Sequence, residues 1–172
     1  MEKNKKVMLY IGPWDKSQEG SFFSWSPSFV KGFIKIGWDV SLFPYRLIHQ
    51  QDIIYRLSRN RLRFSAMKRL ERTFYEKYSE IKPDVIFIEK GELISPEWLE
   101  HVRQFNNSLL IVYSTFEDPH LFTDLGRPMS SIADVVLTSS EMCVPMYKDM
   151  GIKHAYYMPF WGVPDDEHPF TG

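Results

Sequence analysis

Residues Lys6–Gly12 read KVMLYIG, an apolar and partly β-branched run that stops at a glycine. A run of this length without alternating polar residues is typical of a strand buried on both faces of a sheet. Five comparable runs follow, namely WDVSLFP (Trp38–Pro44), DVIFIEKG (Asp84–Gly91), SLLIVYS (Ser108–Ser114), DVVLTSS (Asp134–Ser140) and AYYMPF (Ala155–Phe160). We therefore predict a sheet of about six strands.

Segments with helical signals separate these runs. Ser95 and Pro96 suit an N-cap and a first helical position, and residues 141–150 form another helix that Gly151 closes. Gly37 is a natural stop for the helix before the second run. Strands that alternate with helices predict an α/β fold: a Rossmann-like, mostly parallel sheet with right-handed crossovers and helices on both faces.

Composition limits the classes of function. The chain has 172 residues, 44% of them hydrophobic, and a formal net charge of −1, which argues against a nucleic-acid binder. The single cysteine, Cys143, forms no internal disulfide and indicates a reducing compartment. The apolar run after the basic opening MEKNKK is too short for a signal peptide or a membrane span. We predict a cytoplasmic protein.

The longest helix is expected from about Gln51 to Ile81, with a possible break at Ser58–Asn60. Its apolar stripe comprises Leu57, Phe64, Met67, Leu70, Phe74, Tyr78 and Ile81. The other faces are rich in arginine and lysine between residues 56 and 72. This basic surface is either a solvated face or a patch for anionic lipid or a phosphorylated ligand. The second alternative predicts peripheral contact with a membrane.

Several familiar sites are missing from the loops that follow the strands. The first loop has neither GxGxxG nor GxxxxGK[ST], and no Gly-x-Ser-x-Gly elbow or cysteine–histidine cluster occurs. A phospho-receiver domain would have acidic residues after the first strand and an aspartate ending the third, whereas this chain has Gly12-Pro13-Trp14 and Glu89. We therefore expect no cofactor and no metal.

Ligands of an open parallel sheet bind beyond the carboxyl ends of its strands. The stretches at those ends are GPWDKSQEG, EKGE, STFEDPH and SSE. Gly12 permits a tight turn there. In SFFSWSPSF, a helix that starts at Ser26 leaves Trp25 in an apolar platform beside the site, whereas a start at Ser21 makes Trp25 part of a core stripe. The candidate substrate-binding residues are Gly12, Trp14, Asp15, Trp25, Lys90, Glu92, Ser140 and Glu141.

Two carboxylates and an imidazole follow the fourth strand. Glu117 or Asp118 is a candidate general base for an acceptor hydroxyl, and His120 a base or charge partner. The alternative is a turn, because Asp-Pro pairs are common in turns and their carboxylates often cap backbone groups. Lys90 either binds a phosphate or carboxylate, or forms a surface ion pair.

The order and spacing of KVMLYIGPWD, GFIKIGWDVSLFPYR, KPDVIFIEKGELISPEWL, IVYSTFEDPH and ADVVLTSSEMCVPMYKDMGIKHAYYMPFWGVPDDEHP resemble one family. The chain resembles the N-terminal half of a GT-B glycosyltransferase, of the CgeB-like (spore maturation) and group-1-like type. The resemblance covers nearly the whole chain. Phe116-Glu117-Asp118-Pro119 departs from the His-Glu-Pro form of some relatives.

The resemblance implies an acceptor-side domain over residues 1–160 and the start of an interdomain linker over residues 161–172. The nucleotide-sugar donor would bind mainly a C-terminal domain beyond this sequence. The implied activity is transfer of a hexose-type sugar to an unknown acceptor, with residues 1–172 inactive alone. Gly12, Trp14 and Asp15 would approach the reacting sugar, and Glu117, Asp118 and His120 would supply the catalytic groups. The alternative is a stand-alone, non-catalytic Rossmann-like binding or interaction module.

Overall fold

The computed structural model describes residues 5–14, 25–51 and 63–159. The strands are β1 (Val7–Gly12), β2 (Asp39–Pro44), β3 (Val85–Glu89), β4 (Leu110–Thr115), β5 (Val135–Thr138) and β6 (His154–Tyr157). The helices are α1 (Trp25–Lys35), α2 (Tyr45–Gln50), α3 (Arg63–Ile81), α4 (Pro96–Phe105), α5 (Arg127–Ser130) and α6 (Cys143–Asp149). A π-helical turn (Phe122–Gly126) precedes α5.

The described strands form one sheet in the order β2-β1-β3-β4-β5-β6, and every neighbouring pair is parallel. The predicted α/β class, with a parallel sheet and helices on both faces, is therefore confirmed. β3 shows why its sequence favours a sheet covered on both faces: all five of its residues are buried, so neither face of this strand meets water. The order reverses between β1 and β3, where consecutive crossovers leave the sheet on opposite faces.

The two faces of the sheet carry separate cores. On the α1 face, Val30 and the partly buried Phe29 and Phe33 of α1 pack on side chains of β1 and β3. On the α3 face, the larger core joins alternate residues of the central strands to α3, α4 and α6. The deepest α3-face side chains include Leu9, Ile11, Leu70, Phe74, Ile86, Ile88, Leu99, Ile111, Tyr113, Val136 and Tyr147.

Some helix boundaries differ from the predictions. α2 ends at Gln50 and α3 begins at Arg63, while residues 52–62 of the predicted long helix lie outside the described residues. Trp25 is the first described residue of α1, and the predicted start at Ser21 lies outside the described residues. Ile36 is 70% exposed, because α1 ends at Lys35 and the chain turns at Gly37 with φ +93°.

Other terminus signals are confirmed. α4 starts at Pro96 with Ser95 in the N-cap position, although the Ser95 side chain makes no capping hydrogen bond. Gly151, with φ +91°, follows α6 as predicted. The proposed linker, residues 161–172, lies outside the described residues, and so does Phe160, the predicted end of β6.

Candidate functional site at the carboxyl edge

The carboxyl edge beside the β1/β3 reversal gathers polar side chains from several elements. Glu89 ends β3 and Ser26 lies in the first turn of α1. Arg46 lies in α2, and Glu92 in the turn after β3. In open α/β sheets a crevice forms where the strand order reverses, because the two adjacent connections diverge. We take this edge as the candidate site.

Glu89 is the most buried carboxylate of the edge, with 4% of its surface exposed. The Tyr10 hydroxyl donates to its Oε2 at 2.5 Å, and the Ser26 hydroxyl donates to the same oxygen at 2.6 Å. β1, β3 and α1 each contribute one member of this cluster. Two donors on one oxygen fix the carboxylate against the end of the sheet.

The charge state of Glu89 couples to the stability of the fold. Burial raises the pKa of this carboxyl above its ordinary value of 4.5, while the hydrogen bonds from Ser26 and Tyr10 oppose that rise. The folded protein therefore retains the proton at pH values where the unfolded chain releases it. The resulting stabilisation is complete below the unfolded pKa and is lost as the pH rises through the raised folded pKa.

We expect Glu89→Gln to remove this pH dependence while its amide oxygen still accepts from Tyr10 and Ser26. Urea unfolding from about pH 4 to pH 8 measures the free energy of unfolding of wild type and variant. Relative to wild type, the variant should gain stability as the pH rises through that window. If the free energy of unfolding of both proteins changes with pH in the same way, the pKa of Glu89 is the same in the folded and unfolded states.

Gly12 ends β1 directly against this cluster. A Cβ at this position would lie 2.8 Å from Cε1 of Tyr10 and 3.4 Å from Oε2 of Glu89. The Tyr10 ring is buried and stacks on Phe87 at a centroid distance of 5.3 Å, so it has little room to withdraw. The glycine is therefore required for the close approach of β1 to the carboxylate.

We expect Gly12→Ala to destabilise the fold by about 1–3 kcal/mol, the usual cost of inserting a methyl group into a packed site. Gly32→Ala is the matched control: nothing lies within 4 Å of the added Cβ, and Gly32 is inside α1, where alanine is the better helix former. Chemical denaturation of both variants provides the comparison. Equal effects of the two substitutions would contradict the packing argument.

The loop after β3 turns through two left-handed residues, Lys90 with φ +65° and Gly91 with φ +79°. The Lys90 amide donates to the Ser114 carbonyl at 2.9 Å, which ties the turn to β4. Lys90 Nζ lies 2.6 Å from Oε1 of Glu117. The ion-pair alternative for Lys90 is therefore the one found, and its partner is a predicted catalytic residue.

A second ion pair lies beside the first. Arg46 Nε donates to Oε1 of Glu92 at 2.6 Å, and the Tyr45 hydroxyl donates to Oε2 of Glu92. Neither Tyr45 nor Arg46 was among the predicted site residues. The sequence contained a signal for both residues, because they follow β2 directly and so lie at the carboxyl end of a strand.

Asp118 is directed into the interior, away from Glu117. The Thr138 hydroxyl donates to its Oδ2 at 2.6 Å, and the Tyr147 hydroxyl donates to the same oxygen at 2.9 Å. Burial raises the pKa of this carboxyl, against the lowering effect of the two hydrogen bonds. Asp118 thus connects the loop after β4 with β5 and α6 through side-chain hydroxyls, whereas the turn alternative expected its carboxylate to cap backbone groups.

The remaining predicted site residues are dispersed. Trp14 is half-buried, and its carbonyl accepts the Leu47 amide at 3.1 Å. His120 and Glu141 are exposed, and Ser140 is half-buried after β5. Asp15 and the Trp25 side chain lie outside the described residues. The catalytic roles predicted for Glu117, Asp118 and His120 stay predictions.

The arginine-rich surface is only partly within the described chain, because Arg56, Arg59 and Arg61 precede α3. Along α3, Arg72 pairs with Glu76 at 3.5 Å and Lys77 with Glu80 at 3.4 Å. Acidic side chains thus alternate with basic ones on this helix, and membrane attachment stays a prediction. None of the helices in the described ranges has the length and hydrophobicity needed to cross a bilayer.

Within the described ranges, no group of three or more histidine, cysteine, aspartate or glutamate side chains is arranged to hold a metal ion. No family model matches the chain, and no curated protein matches it either. Among solved structures it is similar to a LuxR-family two-component response regulator from Aurantimonas sp.. That match has 15% identity and a TM-score of 0.42, and covers 88% of this chain and 89% of the other.

These comparisons correct one prediction. The solved structure named above is a response regulator and not a glycosyltransferase, so the prediction of a hexosyltransferase enzyme is contradicted. At this identity and TM-score, nothing of the regulator's function is carried over to this chain. The resemblance to a GT-B N-terminal half stays an expectation from the sequence.

Proposed function

We propose that this domain is a non-catalytic binding module whose ligand lies at the carboxyl edge, between the ends of β1 and β3. One observation carries the proposal: the strand order reverses at the point where Glu89, Lys90, Glu92 and Arg46 are gathered. A rigid edge of this kind suits binding, because its side chains are already held in place.

The charges of the edge favour a neutral ligand. Arg46 pairs with Glu92 and Lys90 with Glu117, so each pair cancels. Burial raises the pKa of Glu89, which shifts this carboxyl toward its neutral form. The described edge therefore offers little net attraction to a phosphate or an ammonium group, and much hydrogen-bonding capacity.

A polar group without a partner supports the same conclusion. Ser114 stands opposite Glu89 in the β3–β4 register and is fully buried. Its hydroxyl has no hydrogen-bond partner among the described residues. A hydroxyl-bearing molecule such as a sugar or polyol suits an edge of this chemistry, with its hydroxyls donating to the carboxylates and accepting from Lys90 and Arg46.

Saturation-transfer NMR with a matched panel tests the ligand class: glucose and inositol as neutral probes, glucosamine as the cation and glucose 6-phosphate as the anion. We expect the neutral probes to bind and Glu89→Ala to weaken them about tenfold or more, roughly the effect of an unsatisfied buried hydrogen bond. Lys90→Ala should weaken binding too. Lys153→Ala, at the opposite edge, is the control.

Preferential binding of the phosphorylated sugar, or equal binding by Glu89→Ala and wild type, would contradict the proposal. We also propose a cytoplasmic location, because the single cysteine, Cys143, is a buried free thiol, as expected in a reducing compartment.

A further inference from the structure

No described helix covers the half of the α1 face that β4, β5 and β6 form, and Val112 and Leu137 there are only partly buried against the α1-face core. Leu110, Val112, Val135, Leu137, His154 and Tyr156 are register neighbours on this face of β4, β5 and β6. Leu110 is 39% exposed and Tyr156 52% exposed. On the α3 face of the same strands, Ile111, Val136 and Ala155 are almost fully buried.

Sheets made only of parallel strands have both faces covered in nearly every known case. The uncovered half, defined by the six residues above, comprises three strands at roughly 4.8 Å spacing, or about 10 Å between the axes of β4 and β6. One α-helix with its side chains is about 10–12 Å across. The uncovered half thus has the width of a single helix. The other half of this face is covered by one helix, α1.

A groove at the amino edge continues this surface. It has a volume of about 890 Å³ and shares Leu110, Val135 and His154 with the uncovered half. The loops before β4, β5 and β6 complete its walls. It lies at the edge of the sheet opposite the candidate ligand site.

The groove has an excess of positive charge among the described residues. Asp134 is neutralised by Arg103 at 2.6 Å and also accepts the Ile111 amide at 2.8 Å. Lys153 is exposed and forms no ion pair in the described chain, so its charge is the excess. An occupant that brings acidic side chains to this end complements the groove.

We propose that the uncovered half binds one amphipathic helix of a partner protein. The apolar stripe of that helix packs on Leu110, Leu137 and Tyr156, and acidic side chains at one end lie beside Lys153 and His154. The helix completes the second cover of the parallel sheet, and its docking is independent of the ligand at the carboxyl edge.

Two labelled helical peptides of equal length test the proposal by fluorescence anisotropy with the full chain. Both carry the same leucine stripe, and the flanking positions are glutamate in one and lysine in the other. We expect the glutamate peptide to bind about tenfold more tightly than the lysine peptide, a ratio that falls with added salt. Lys153→Glu should reverse the preference.

Two aspartate substitutions test whether the peptides bind this surface specifically or bind the protein non-specifically. Tyr156→Asp should weaken both peptides about tenfold or more, whereas Ile36→Asp, at a residue 70% exposed outside the uncovered half, should change neither. Circular dichroism verifies that both variants are folded. Equal affinity for the two peptides, no saturable binding, or binding unaffected by Tyr156→Asp would overturn the proposal. A self-association in analytical ultracentrifugation that Tyr156→Asp abolishes would assign the surface to a second copy and overturn it too.

Discussion

Phe74→Ala is expected to lower the free energy of unfolding by about 3–5 kcal/mol, the cost of deleting a fully buried aromatic ring. Phe74 is fully buried in α3. Its ring centroid lies 5.8 Å from that of Phe43 on β2 and 5.9 Å from that of Trp98 on α4. One side chain thus connects a strand with two helices, and its removal leaves a cavity among these three elements.

Urea denaturation of the full chain measures the loss, and a domain of this size should also show a lower melting temperature, by about 2–4 °C per kcal/mol. Phe105→Ala is the matched control, because Phe105 ends α4 with 76% of its surface exposed. The control should change stability by no more than about 0.5 kcal/mol. Similar losses in both variants would mean that Phe74 is not a core residue.

Asp118→Ala is expected to cost about 2–4 kcal/mol, because it leaves the hydroxyls of Thr138 and Tyr147 buried without their acceptor. Each unsatisfied buried donor costs roughly 1–3 kcal/mol, and the two costs are not fully additive because the groups share one partner. The network connects the loop after β4 to β5 and α6, so its loss should loosen that end of the sheet.

Asp118→Asn separates hydrogen bonding from charge. The amide oxygen still accepts both hydroxyls, and burial already disfavours the charged carboxylate, so the asparagine variant should retain most of the stability. If asparagine is as costly as alanine in the same unfolding experiment, the carboxylate charge matters more than its hydrogen bonds. That result would contradict the role of Asp118 as a hydrogen-bond acceptor that joins the loop to β5 and α6.

The strands were predictable from sequence because their signal is local. β1 and β3 are buried on both faces, and the other strands also follow apolar runs, so hydrophobicity alone locates them to within a few residues. Of the helix predicted from about Gln51 to Ile81, α3 accounts for Arg63–Ile81, and residues 52–62, which include the predicted break, lie outside the described residues.

The candidate site was only partly predictable. Lys90 and Glu92 follow the end of β3 and Gly12 ends β1, and all three were found by that rule. Ser26 and Tyr10 were missed because their contacts with Glu89 span 63 and 79 residues of sequence. Glu117 and Asp118 were both candidates for the general base, yet these adjacent residues turn to different partners, which sequence spacing does not show.

Backbone amide chemical-shift mapping with glucose and inositol tests the central claim most directly. The account predicts saturable shifts at Gly12, Lys90, Gly91 and Glu92, reduced in Glu89→Ala and unchanged in Lys153→Ala. Shifts concentrated instead at the amino edge, around Leu110 and His154, or no shifts with either probe, would contradict a ligand site between the ends of β1 and β3.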